Sequence, residues 1–452
     1  MKRSIGTLRS FAMNGRSALF VIGMSLSAES VLAQQSLQYF RPNDSRGINV
    51  FETTKNDTTP FTGLMVKVGG NFSQDYQSLS DKNNATPVLV DSVNVNQLIK
   101  LTSGANLAMA NLNLDVQLAD GIRMNLVTYL STRHHQDAWV KGGYIQLDKL
   151  LFLKSDLIDK IMNYTTLRVG DMEVDYGDQH FRRTDGGNTV YNPFVENYIM
   201  DEFATEIGAE VYYHSQTGFL GMVGLTSGEL NPTVVASTKI DSATGQLNAY
   251  DPAFHAKLGY DRQLNNNLRV RLTGSFYEDK SSPGNTLFFG DRAGSHYFFV
   301  MENTQAASDV NGFSGRFNPL FGEQVTTVMI NPFVQYDGFE FFGTFESANG
   351  RTITEKTTRN ATQYAADLLY RFYVGDQSFW VGGRYNAVKA ALPGNPTDVN
   401  IDRYVASLGW FPTKNLMLKG EYVNQTYKDF PANDIRSGGS FSGWMAEAAV
   451  AF

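Results

Sequence analysis

The chain of 452 residues contains no cysteine, which removes any disulfide framework and any thiolate metal site. Beyond residue 33 no run reaches 18 apolar residues, so no helix is expected to span a membrane. Basic residues are the scarcer sign, 38 against 45 acidic, and an acidic balance argues against nucleic-acid binding. No Gly-x-Ser-x-Gly elbow, phosphate loop, His-Glu-x-x-His or dinucleotide fingerprint is present. The six histidines are scattered. His134 and His135 are adjacent, so on a strand they point to opposite faces and do not share one metal. His255 sits on a polar strand face with no partner to name. No catalytic residue, metal site or cofactor is therefore expected, and no enzyme. A Pro/Ser-rich linker is missing as well, which favours one domain.

What the chain does have is 41 glycines, 13% aromatic residues and a strongly patterned end. Counting back by twos, Phe452, Val450, Ala448, Ala446 and Trp444 share one face. Ala451, Ala449, Glu447 and Met445 share the other. This is a period-2 strand with one apolar face and a terminal aromatic carboxylate. A frayed apolar end gains nothing in water, whereas the last strand of a barrel must close on the first. The pattern resembles the C-terminal signature of bacterial outer-membrane barrels, in which the last Phe is read by the barrel-assembly machinery. That resemblance implies such a role for Phe452. It also places the chain in the bacterial outer membrane, in contact with lipid.

At the other end, Lys2, Arg3, Arg9 and Arg16 precede an apolar run from Ala18 to Leu26, and Val31-Leu32-Ala33 makes a cleavage site. Residues 1–33 read as a secretory signal peptide. Its removal takes away those four basic residues and Glu29, leaving 34 basic against 44 acidic residues. Residues 34–60 are unpatterned and read as a short periplasmic N-terminal segment, with the barrel over 61–452.

Alternation then recurs sixteen times, at about 64–72, 104–119, 122–132, 137–149, 165–175, 205–213, 217–227 and 253–262. It continues at 268–279, 323–335, 339–348, 361–374, 377–388, 401–411, 415–427 and 441–452. With both ends on the periplasmic side, one set of connections is short, as at Asp120-Gly121, Asp337-Gly338 and Gly375-Asp376. The other set is mostly long: 77–103, 176–204, 228–252, 280–322, 349–360, 389–400 and 428–440. Two connections break the rule, 133–136 (short, outer) and 150–164 (long, inner, helical in pattern). The expectation is an all-β fold, a transmembrane antiparallel up-and-down β-barrel of about 16 strands, within a range of 14–18. The segment Ser295 to Val300 is the candidate for an extra strand.

Assigning the polar face of each strand to the lumen gives a wet interior of both signs. Arg123, Arg269, Arg271, Arg371 and Arg384 stand there with Glu340. Such charges either pair across the wall or line a water-filled pore. The richest stretch follows the fifth strand, where Gly170 and Gly177 allow a bend. A loop folded inward there brings Arg168, Asp171, Asp175, Asp178, Arg182 and Arg183 to a polarised constriction. Asp185-Gly-Gly-Asn188 reads as its tight turn. The 280–322 loop competes for that role through Phe298, Phe299 and Phe313.

The run from Arg168 to Asp178, Asn192-Pro193-Phe194 and Glu206 to Val211 resembles outer-membrane porins of the Bacteroidota. More distantly it is similar to the phosphate-selective porin family. The resemblance implies passive diffusion of small polar or ionic solutes. That anion-selective family relies on a basic constriction, whereas this stretch is acid-rich at Asp171, Glu173, Asp175 and Asp178, so phosphate specificity is not expected. The alternative is a closed barrel with a structural or assembly role in a surface or secretion complex, marked by a continuous salt-bridged plug. A gated transporter would carry a separate plug domain, for which residues 34–60 are too short. By analogy with 16-stranded porins, a homo-oligomer is a further expectation.

Overall fold

Alternation of side chains is what closes this chain on itself. In the computed structural model, which describes residues 36–134, 137–184, 188–290 and 293–452, sixteen antiparallel strands form one closed barrel. They are β1 Met65–Lys82, β2 Gly104–Ala119, β3 Ile122–Ser131, β4 Trp139–Leu147, β5 Thr165–Glu173, β6 Thr205–His214, β7 Phe219–Thr226 and β8 Ala253–Gln263. The second half is β9 Leu268–Asp279, β10 Gln324–Tyr336, β11 Phe339–Arg351, β12 Arg359–Val374, β13 Gln377–Ala391, β14 Asp398–Thr413, β15 Leu416–Lys428 and β16 Ser440–Ala451. All sixteen sequence-predicted strands are present. Residues 1–33, read from the sequence as a signal peptide, together with His135 and most of the Asp185–Asn188 turn, lie outside the described residues.

Every strand pairs with its sequence neighbour, and β1 pairs with β16 from Asn71↔Ala451 to Lys82↔Ser440. The chain end completes that seam: Phe452 N–H donates to Gly70 O at 3.0 Å and Gly70 N–H donates to Phe452 O at 3.1 Å. On β16, Trp444 and Val450 are exposed while Met445, Glu447, Ala449 and Ala451 are buried, the two faces read from the sequence. The outward face carries an aromatic belt near the short turns. Phe339, Tyr370, Phe372, Phe379 and Trp410 follow one another with ring centroids 4.7 to 6.0 Å apart. A closed barrel with an apolar exterior and such a belt is an outer-membrane β-barrel.

The long inner connection contains a helix, α1 Asp156–Met162, whose N-cap Ser155 hydroxyl accepts from Ile158 N–H at 3.5 Å. Ser295 to Val300 is not a strand but part of the outer loop 280–323. The core is inside the barrel. Val190, Phe194, Val195, Ile199 and Met200 of loop 174–204 pack with Tyr297, Val300, Phe317 and Phe321 of loop 280–323, and with wall residues such as Val325, Met329 and Val388. Of the two arrangements left open by the polar faces, paired charges in a filled interior and a water-filled pore, this side of the lumen takes the first. Two outer loops supply apolar side chains that strand alternation alone does not reveal.

Candidate functional site in the lumen

The inward turn begins at Gly177. Its φ of +73° suits glycine, and a Cβ there would lie 2.3 Å from Met329 Sδ. From that bend the loop is tied down to the wall from β8 round to β16. Asp178 N–H donates to Asn331 Oδ1 at 2.8 Å, and its carboxylate accepts two parallel bonds from Arg271, both 2.7 Å. Farther along, Gln363 bonds both Met200 N–H and Met200 O at 2.9 Å, while Arg403 donates to Asn197 O at 2.6 Å. Trp380 Nε1 donates to Pro193 O at 3.1 Å, and Lys419 Nζ donates to Phe194 O at 2.7 Å. The lumen-facing polar residues of half the wall are thereby used to hold a loop.

The N-terminal segment closes the other end. Residues 36–60, read from the sequence as part of a short periplasmic N-terminal segment, run across the inner end of the lumen. Gln38 joins the β2–β3 turn, accepting from Gly121 N–H at 2.9 Å, and Ser45 N–H donates to Lys414 O at 2.9 Å in the β14–β15 turn. Asn49 Nδ2 donates to Glu340 at 2.6 Å. Glu52 accepts from Arg271 at 2.9 Å and lies 3.3 Å from Lys257. Phe51 sits edge-on to Phe181 and Phe333, with centroids 5.7 and 5.5 Å away, and Arg271 lies 4.2 Å from its ring centre. The signal for this was faint: isolated aromatics, Phe40 and Phe51, in a polar stretch that would leave them in water.

What remains open is a cleft of about 220 Å³ between the loop and the wall of β1 to β6, floored by Phe40, Arg41 and Phe51. That is far above the roughly 10–15 Å³ one ordered water needs. Arg123, Arg168, Asp171 and Asp175 line it. Lys141, Tyr144, Glu173, His180 and Tyr212 join them. An aromatic vestibule of about 320 Å³, lined by Phe203, Phe288, Phe289 and Phe313, abuts it and shares Lys141 and Thr205. Phe298 and Phe299 instead stack on each other, 4.0 Å between centroids.

The other eight candidates face away from the cleft, paired within the packed side. Asp178 holds Arg271. Arg182 and Arg371 converge on Glu340 at 2.7 and 3.1 Å. Arg183 bonds Asp201, Arg269 bonds Asp261 and Arg384 bonds Asp367, each pair at 2.7 Å. Burial would raise the Asp178 carboxyl, but Arg271 and Lys257 pull it down to about 2. Burial disfavours charged His180, yet hydrogen bonds to Asp175 and Glu173 hold its pKa above the ordinary value. The Asp178 carboxylate is therefore charged near neutral pH. The cleft sets Arg123, Lys141 and Arg168 of the wall near Asp171, Glu173 and Asp175, an arrangement that polarises a narrow aqueous gap.

No protein-family profile matches the chain, and no curated protein sequence does. Solved structures are similar in fold. An anion-selective porin from Comamonas acidovorans superposes with a TM-score of 0.50 at 11% identity, covering 86% of this chain and 100% of that one. OmpT of Vibrio cholerae, in its trimer form, gives 0.47 at 11% identity, with the same coverage. OccK1 of Pseudomonas aeruginosa gives 0.41 at 10% identity over 86% and 98% of the two chains. At such identities the likeness is one of fold: a sixteen-stranded barrel resembling bacterial outer-membrane porins.

Proposed function

We propose that the protein is a narrow diffusion channel of the outer membrane, passing small polar or ionic solutes along one wall of its lumen. The observation that carries this reading is the pair of abutting cavities beside β3 to β6, lined by charges of both signs where the opposite wall is packed solid. The mixed lining favours small hydrated ions and zwitterions over a single anion class. The reading assigns no catalysis to the chain. It includes contact with outer-membrane lipid, insertion by the assembly machinery through Phe452, and association of copies in the membrane. The Bacteroidota resemblance noted above supports the same solute class.

Single-channel recording of the refolded protein in a planar bilayer tests the proposal. The expected result is small, stable conductance steps, with a modest reversal potential in a salt gradient. Silence from a correctly folded, heat-modifiable barrel would sink the channel. It would leave the closed structural barrel, a reading favoured by one specific observation, the ion-paired network that joins loop, wall and N-terminal segment.

A further inference from the structure

Asp75 on β1 and Glu447 on β16 are register partners across the seam that closes the barrel. Both point inward and are almost fully buried, 1% and 3% exposed. Directly opposed carboxylates on neighbouring strands repel, more so away from water. The outer loop 280–323 places His296 between them. Its Nδ1 lies 2.6 Å from Asp75 Oδ2 and 3.3 Å from Glu447 Oε2. One donor atom from each of the three residues falls within 4.8 Å of the other two.

Three features make this more than a histidine hydrogen-bonded to an acid. A single ring nitrogen faces two carboxylates, although it carries at most one proton for them. Asp75 Oδ1 and Glu447 Oε2 accept no hydrogen bond despite their burial. The division of labour on Glu447 is also clean: Oε1 takes Lys419 Nζ at 3.0 Å and the Thr189 hydroxyl, leaving Oε2 turned toward the imidazole. The His296 backbone is fixed from both sides. Its N–H donates to Glu196 Oε2 at 2.6 Å, and its carbonyl accepts from Asn106 Nδ2 at 3.2 Å. These contacts hold the residue's backbone in place beside the two acids.

We propose that Asp75, His296 and Glu447 form a structural site for a first-row divalent cation. Zn²⁺ best matches one imidazole nitrogen with two carboxylate oxygens in a closed pocket. Binding takes the place of the proton on His296 Nδ1 and sets a double positive charge between the two acids. The ion would join three elements far apart in sequence: the first strand, the last strand and the loop that roofs the lumen. None of the three ligands lines the cleft or the vestibule, so the ion is a staple and not transported cargo. Because the ligands are buried, uptake accompanies folding, as the loop seats.

The test is to refold the full mature barrel with Zn²⁺, strip loose metal on a chelating resin, and measure zinc and the temperature of heat-modification. About one Zn²⁺ per barrel is expected, with a higher transition temperature than in a sample refolded with EDTA. His296→Ala and Asp75→Asn should each cut the bound zinc by about tenfold or more and erase the difference made by EDTA. A wild-type barrel that folds but retains no zinc overturns the site, and so does zinc retained undiminished by either variant. A His296→Ala barrel that is less stable, alongside a zinc-free wild type, would make the cluster a hydrogen-bonded latch only. Should the variants not refold, zinc X-ray absorption on the wild type decides. One imidazole among oxygen ligands supports the site, and a shell of several imidazoles overturns it.

Discussion

Arg271 shows how the interior charges work at the scale of a single residue. Its guanidinium bonds Asp178 of the inward loop, Glu52 of the N-terminal segment and Asp261 of the neighbouring strand. Truncating it to Ala leaves Lys257 to balance the buried Asp178 and Glu52 carboxylates, each 3.3 Å away, and removing one partner from comparable buried pairs costs about 3–5 kcal/mol. The Arg271→Ala barrel should lose its folded, heat-resistant form at a lower temperature, read on a seminative gel; an unchanged transition would mean the triad is solvated. Gly177→Ala tests the bend at the same loop. Left-handed backbone plus a methyl group against Met329 should destabilise by about 1–3 kcal/mol. Outside the spanning strands, Asp241 bonds Arg351 with both oxygens at 2.6 and 2.9 Å. The Arg351 hydrogen bonds, against a smaller opposing effect of burial, lower its carboxyl from 3.8 to about 2. A depressed carboxyl stabilises the folded state above its unfolded value, and the contribution is lost as pH falls between about 4 and 2. Amide protection factors in loop 227–252, taken relative to intrinsic exchange at each pH, should accordingly fall over that window and hold steady between pH 5 and 8.

Among elements, the N-terminal segment is where sequence and structure part most. Each strand announced itself because an inward and an outward face differ in solvent, and that difference has period two. The inward turn after β5 was partly legible, through Gly177 and a density of charges that a solvated loop does not need. Nothing comparable marks residues 36–60, which lack periodicity and take their place because Arg269, Arg271, Lys257 and Glu340 stand ready on three separate strands. Such pairings depend on register and on which loops fold inward, neither of which is written locally. The segment also forms the floor of the cleft, and this gives it a measurable role. Removing residues 36–58 from the refolded barrel should raise single-channel conductance by about twofold or more, since a narrow pore's resistance sits at its tightest part. An unchanged conductance in a folded deletion variant would mean that ions bypass this floor.

For the whole molecule, the lumen is asymmetric. From β8 to β16 the wall, loop 174–204 and the N-terminal segment form a continuous packed body, while from β1 to β6 the same loop stands off the wall. The sequence displayed inward charges on both sides alike, so composition alone did not tell pore from packing. Arg168 and Arg384 make the contrast concrete. Arg384 bonds Asp367 with two nitrogens, at 2.7 and 2.9 Å, and stacks between Phe194 and Tyr198. Arg168 borders open space, its guanidinium over the rings of Tyr144 and Tyr212. An ion in the cleft passes within the field of Arg168 but is separated from Arg384 by the whole thickness of the loop, where intervening charges cancel its influence. Replacing each in turn with Gln should therefore split two properties. Arg168→Gln should move the reversal potential toward cations by several millivolts in a tenfold salt gradient and cost less stability than Arg384→Gln, because Glu210, 3.7 Å from Arg168, keeps His255 at 2.9 Å. Arg384→Gln should leave ion preference where it was and lower stability by about 3 kcal/mol, the expectation for one partner removed from a buried pair. Equal effects of the two substitutions on reversal potential would place the conducting path through the middle of the barrel instead of along its wall.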